Sequence, residues 1–232
     1  MELTGRLAAL AAYVPAGSAV ADIGTDHAYL PIYLVREGIC ERVIATDVKE
    51  GPFRSAGIKV KGHGLAGRVE LRLGDGLKVL EPGEAEVLVL AGVGGNTIRE
   101  ILAAAPPVLN KCRRLVLQPM VDAGDLRFWL AEHGWLIWDE QLVEEENRIY
   151  VIIAAVPGLE RTKDRLFLEL GPRLLEKKNP LLAVYLENIM NQYERILSGL
   201  SASKSPAARE KRIMLTEKLL RMRELSDACK VQ

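Results

Sequence analysis

Between residues 18 and 134, five short apolar runs are interspersed with four stretches of helical spacing. The runs are "SAVADIG" (18–24), "RVIATDV" (42–48), "VELRLGDG" (69–76), "AEVLVLAGVGG" (85–95) and "RRLVLQP" (113–119). Between and after them lie "AYLPIYLVREG" (28–38), "GPFRSAGIKVKGHGL" (51–65), "NTIREILAAA" (96–105) and "DAGDLRFWLAEHG" (122–134). A strand that is apolar along its whole length must be covered on both faces. Helices alternating with such strands do this, so the pattern predicts a parallel sheet inside an α/β domain. Asn96 and Asp122 stand where N-caps of the last two helices are expected.

The pattern changes after residue 134. "WLIWDEQLV" and "RIYVIIAAV" flank "EEEN" and predict a β-hairpin, with Glu144, Glu145 and Glu146 as a solvated turn. A parallel sheet ending in an antiparallel hairpin resembles the seven-stranded Rossmann-like sheet of class I S-adenosylmethionine (SAM)-dependent methyltransferases. From residue 158 every signal is helical. One helix is expected from about residue 159 to 178. Leu182, Leu186, Ile189, Tyr193, Ile196 and Leu200 then form a heptad-like seam, and a second helix carries Leu215, Leu219 and Met222. The expected organisation is a sheet domain over residues 1–157 and a helical, coiled-coil-like hairpin over 158–232.

Charge divides along the same line. Residues 1–157 hold 16 Lys and Arg against 21 Asp and Glu, and residues 158–232 hold 15 against 10. A basic tail on an acidic body hints at a polyanionic partner. Its candidate phosphate contacts are Arg161, Lys163, Arg165, Lys177, Lys178, Arg209, Lys211 and Arg212. Cys40, Cys112 and Cys229 are scattered and form no CxxC pair, so neither a metal site nor a disulfide framework is expected. The opening "MELTGRLAALAAYVPAG" is expected to be an amphipathic helix capped near Thr4. No apolar run approaches the ~20 residues of a membrane helix, so a cytoplasmic protein with no membrane partner is expected.

Ligands of open α/β sheets bind at the carboxyl ends of the strands. Here strand one exits at Asp22-Ile23-Gly24-Thr25-Asp26-His27, strand two at Asp47, strand three at Gly74-Asp75-Gly76, strand four at Gly92-Val93-Gly94-Gly95-Asn96, and strand five at Gln118-Pro119. Asp47, about 23 residues past Gly24, is spaced to accept from both hydroxyls of a ribose. Asp75 could accept from an adenine amino group, and Gly24 lets backbone approach the ligand. There is no GxGxxG, and two carboxylates, Asp22 and Asp26, would repel a pyrophosphate. A ligand carrying a sulfonium and an ammonium would be attracted, so the pattern favours SAM over a dinucleotide. Each aspartate alone reads equally well as a turn former or cap, and Tyr29 or His27 alone reads better as packing. Their occurrence at successive strand ends makes the site.

"ADIGTDHAYLPIYL", followed by "ATDV", "LGDGL", "LAGVGGNTI", "LVLQP" and "EENRIYVII", resembles the bacterial tRNA (adenine-22-N1)-methyltransferases, the TrmK family. The resemblance spans about residues 3–157. It implies methyl transfer from SAM to N1 of adenine 22 in tRNA, with Asp22, Gly24, Asp47, Asp75, Gly76, Gly92 and Gly94 at the cofactor. The family's Ser-Lys-Arg-Leu-like start reads Thr4-Gly5-Arg6-Leu7 here, so Arg6 is kept as a candidate tRNA contact and the lysine is missing.

Adenine N1 offers an in-plane lone pair, so alignment and groups near N6 matter more than a strong base. The Asn/Asp-Pro-Pro-aromatic motif of exocyclic-amine methylases is absent at strand four, which argues against N6 methylation. Tyr29 is the candidate to stack on an extruded base, and Asp26, His27 and Asn96 are the candidates to position its edge. Two other readings stand beside this one: a class I methyltransferase for rRNA or a small molecule, and a tRNA-binding protein with a vestigial SAM pocket.

Overall fold

A computed structural model describes residues 3, 5–177, 179–201, 203 and 205–230. Thr4, the expected first cap, and Lys178 lie outside the described residues. The chain divides into two compact units, Met1–Arg173 and Leu174–Gln232.

In the first unit, the five apolar runs form β1 (Val20–Ile23), β2 (Val43–Asp47), β3 (Val69–Leu73), β4 (Val87–Val93) and β5 (Arg114–Pro119). They are joined through α2 (Tyr29–Arg36), α3 (Glu50–Gly62), and α4 (Gly95–Ala103) with the short α5 (Pro106–Leu109). Helix α1 (Gly5–Ala12) precedes β1, and α6 (Ala123–Glu132) follows β5. The hairpin is β6 (Trp135–Glu145) and β7 (Arg148–Pro157). The sheet order is β3-β2-β1-β4-β5-β7-β6, with only β7 running against its neighbours. The order reverses between β1 and β4, which opens a crevice at their carboxyl ends. Ala21, Leu88, Val89, Leu90, Val116 and Ala154 are fully buried along the central strands, as the all-apolar runs require.

Several local expectations are corrected. The hairpin turns on Glu146 and Asn147, both with positive φ (50° and 60°), the two-residue geometry that matches strand twist. Glu145 therefore belongs to β6, where it is ion-paired instead of solvated in a turn. Helix α4 starts one residue earlier than expected and is capped by Gly94, so Asn96 lies inside its first turn. Asp122 does occupy the N-cap position of α6, but its side chain makes no capping bond.

The tail also departs from expectation. The single helix expected over 159–178 is two short ones, α7 (Arg165–Leu170) and α8 (Pro172–Lys177). Gly171 at φ 104° and Pro172, which has no N–H, break the ladder between them. The unit boundary at Arg173 lies later than the expected break after residue 157. Arg127 of α6 is the reason. It is fully buried, pairs with Glu140 of β6 at 2.6 Å, and donates to the carbonyl of Glu169 at 2.7 Å. Glu140 also accepts from Arg173 N at 3.0 Å, and Arg173 pairs with Glu160 at 2.5 Å. Residues 158–173 are thus strapped onto the first unit by charge-assisted bonds that sequence periodicity does not reveal.

The second unit contains α9 (Leu182–Ser201) and α10 (Pro206–Lys230), paired antiparallel. Arg223 meets Glu194 at 2.7 Å, and Lys218 Nζ donates to the Tyr193 hydroxyl at 3.0 Å. Leu215, Leu219 and Met222 are buried as expected. Ile196, however, is exposed, and Leu197 turns inward. The seam therefore steps 193, 197, 200, a four-then-three spacing that a 3.6-residue turn accommodates as well as three-then-four. Among the described residues, no helix is long and apolar enough to cross a membrane.

Candidate active site

Two linked turns form one wall of the crevice. Gly24 N and Thr25 N both donate to the carbonyl of Thr46, each at 2.9 Å, so the β1 exit is stitched to β2. The Asp47 carboxylate finishes the join: Oδ2 accepts from Asp26 N at 3.2 Å and Oδ1 from Lys49 N at 2.8 Å. A carboxylate has about four lone-pair positions, so Asp47 keeps capacity for a ligand's hydroxyls. Asp26 and Ala28 are held at φ 49° and 55°, a left-handed geometry costly for residues with a Cβ. Asp22 is buried behind this turn. Burial pushes its carboxyl up to about 6, against the lowering pull of the Thr25 hydroxyl and with a smaller push from Asp47.

Beyond Gly24, Asp26, His27 and Tyr29 carry the exposed side chains of the turn. His27 Nδ1 lies 2.7 Å from Ser55 Oγ, and its Nε2 lies 3.6 Å from Asp26. The His27 ring meets Tyr29 edge-on at 5.8 Å, and Lys59 Nζ sits 3.7 Å above the Tyr29 ring. Tyr29 remains 41% exposed, enough to offer the rest of its ring to a base. Just past β3, Gly74 N donates to the Asp47 carbonyl at 2.9 Å. This places Asp75 beside Asp47 on the chain path, where it pairs with Lys78 at 2.5 Å. Gly76 follows in a 3₁₀ turn against Ile101.

The opposite wall is built at β4 and β5. The ladder pairs Ala91 with Gln118 and Val93 with Pro119, so Gly92, at φ 80°, bulges out. Gly95 packs so closely on the α6 entry that a Cβ there would collide with the Asp122 carbonyl oxygen. Asn96 Nδ2 donates to Asp122 Oδ2 at 3.0 Å. Arg6 of α1 completes this side, paired with Glu145 at 2.6 Å and lying 4.5 Å over the Tyr150 ring.

These residues fit SAM. Carboxylates stand at three successive strand exits, Asp22, Asp47 and Asp75. No atom lies within 4 Å of where a Gly24 Cβ would stand, so the backbone there is open to a ligand. An acidic cradle around bare backbone suits a cationic amino-acid nucleoside and opposes a pyrophosphate. Residues 20–224 match the sequence family described as tRNA (adenine(22)-N(1))-methyltransferase, TrmK. The chain belongs to that family.

Individual family members agree closely. The tRNA (adenine(22)-N(1))-methyltransferase of Bacillus subtilis is 38% identical over 192 residues, covering 81% of this chain and 79% of the relative. The crystal structure of the B. subtilis m1A22 tRNA methyltransferase TrmK superposes with a TM-score of 0.88 at 32% identity, over 97% of this chain and 99% of that one. M. capricolum TrmK in complex with S-adenosyl-homocysteine superposes at 0.84 with 28% identity, over 98% and 99%.

Within this family fold, the expected residues sort into two groups. Asp22, Gly24, Asp26, His27, Tyr29 and Asp47 converge on one wall. Gly92, Gly94, Asn96 and Arg6 lie on the other, and Asn96 is bonded to Asp122, not to Asp26 or His27. Nothing in the sequence marks Gln118 for a role, although it closes an apolar strand. Within the Gly92–Gly95 loop, a Cβ at Gly94 would meet only ordinary contacts, whereas none fits at Gly95. Ser55 and Lys59, which steady His27 and Tyr29, sit on a helix whose pattern looks merely amphipathic.

Proposed function

We propose that this chain methylates N1 of adenine 22 in tRNA, with SAM as donor, and does so in the cytoplasm. The observation that carries the reading is the acidic cradle at three strand exits, opening onto a half-exposed aromatic ring. Asp22, Gly24, Asp47, Asp75, Gly76, Gly92 and Gly94 would hold the donor, which supplies an electrophilic methyl group when bound. Tyr29, steadied by Lys59, offers a face on which an extruded base can stack. Asp26, His27 and Asn96 hold the base edge. N1 needs no proton removed before it attacks, so their work is alignment and stabilisation of positive charge spreading towards N6. Arg6 and the basic side chains of α10 contact phosphates. The test is to incubate the protein with SAM and unmodified tRNA, digest to nucleosides and identify the product by mass spectrometry. Expected is 1-methyladenosine; 6-methyladenosine in its place would overturn the regiochemistry.

A further inference from the structure

Gln118 is fully buried at the end of β5, between an apolar strand and a proline. Its Oε1 accepts from Gly92 N at 3.2 Å and from Arg6 Nη1 at 3.0 Å. Its Nε2 donates to the Pro119 carbonyl at 3.1 Å and lies 3.5 Å from Met120 Sδ. Two donors converge on one amide atom and a carbonyl takes the other, so the orientation of the amide is fixed. The first bond replaces the ladder bond that the Gly92 bulge forfeits. The second reaches α1, whose Arg6 is held at Nε by Glu145 and from one face by Tyr150. Among the described residues, Arg6 Nη2 has no hydrogen-bond partner, and the side chain is 29% exposed.

We propose that Gln118 is a positioning residue that locks the Arg6 guanidinium beside the Gly92 loop, so that its free edge grips a phosphate of the tRNA next to the base being methylated. A guanidinium held at two nitrogens and across one face presents its remaining edge with little freedom left to lose. Glu145 offsets part of its charge, so Arg6 contributes direction more than bulk attraction. The proposal rests on the reading of tRNA as substrate. It adds that one buried amide ties the RNA side of the crevice to the donor side.

The test is a double-mutant cycle in the full chain with Arg6→Ala and Gln118→Leu, read by tRNA affinity, tRNA KM and SAM affinity. Gln118→Leu should weaken tRNA binding roughly tenfold, the scale of a charge-assisted contact. In the Arg6→Ala background it should weaken tRNA binding less than about twofold, because the residue it positions is gone. SAM affinity should fall by the same factor in both backgrounds, through Gly92. Gln118→Glu, when protonated, keeps both an acceptor and a donor for the Pro119 carbonyl and should restore most of the tRNA affinity at mildly acid pH, which covers the case that the leucine variant fails to fold. Equal losses of tRNA affinity in both backgrounds, or no restoration by glutamate, would reduce Gln118 to a packing residue. If the parental chain binds tRNA but does not methylate it, the proposed function fails while the binding cycle still decides this point. If it binds no tRNA, both fall.

Discussion

Asp22 sits at the end of an apolar strand, and its position makes it sensitive to pH. Its carboxyl is raised from an ordinary 3.8 to about 6, chiefly by burial. A carboxyl with a raised folded-state value leaves the fold at full relative stability below about 3.8. That stability is lost as pH climbs towards about 6, at a cost of about 3 kcal/mol above it. A cationic ligand beside the carboxylate offsets the cost. SAM affinity should therefore rise between about pH 5 and pH 7 and level off above, measurable by calorimetry at a series of pH values; a flat profile would remove Asp22 from the ligand. Asp22→Asn should raise the melting temperature of the ligand-free protein at pH 8 and leave it unchanged at pH 4. Asp47→Ala should weaken SAM binding ten- to a hundredfold, as expected for a buried bidentate contact of ~1.5–3 kcal/mol. Unchanged calorimetric affinity would exclude it. Both aspartates were legible in the sequence because polar residues closing apolar strands are conspicuous. The bonds of Gln118 and Glu145 were not, because their shared partner Arg6 lies 112 and 139 residues away.

Among the elements, α4 enters against α6 backbone to backbone. At Gly95 an added methyl would meet backbone atoms of Asp122, which cannot swing aside, whereas at Gly94 it would meet the end of Val121 at 3.5 Å. Gly95→Ala should cost melting temperature and SAM affinity together, and Gly94→Ala should change the melting temperature little. Thermal melts of the two variants with and without SAM decide this, and equal behaviour would contradict the packing described. The order of strands and helices was legible from the alternation of apolar runs with helical spacing. Their ends were less so, because caps depend on backbone geometry: α4 is capped by a glycine, not by the asparagine two residues on. The strap over 158–173 was invisible for another reason. Arg127 and Glu140 are charged residues inside a core, and a charge in sequence reads as surface. Arg127→Ala would strip buried Glu140 of its paired cation and leave it only the charge and N–H of Arg173, a loss of up to about 3–5 kcal/mol in unfolding experiments.

For the whole molecule, the boundary at Arg173 redraws the basic tail. Arg161, Lys163 and Arg165 belong to the first unit, and Arg165 lies 5.0 Å over the Phe128 ring. Arg209, Lys211 and Arg212 remain on α10. Reversing these three to glutamate in the full chain should leave SAM affinity intact and weaken tRNA binding. The log–log salt slope should flatten by about 0.7–0.9 for each phosphate that is no longer neutralised. An unchanged slope would mean these are ordinary solvated helix charges. The most direct test of the account concerns the base itself. Two tRNA transcripts differing only in adenine or guanine at position 22 are incubated with the protein and SAM, then copied by reverse transcriptase, which a methyl on the Watson–Crick edge arrests. Expected is an arrest at position 22 of the adenine transcript alone. An arrest elsewhere, arrest of both transcripts, or full-length copying of the adenine transcript would contradict it.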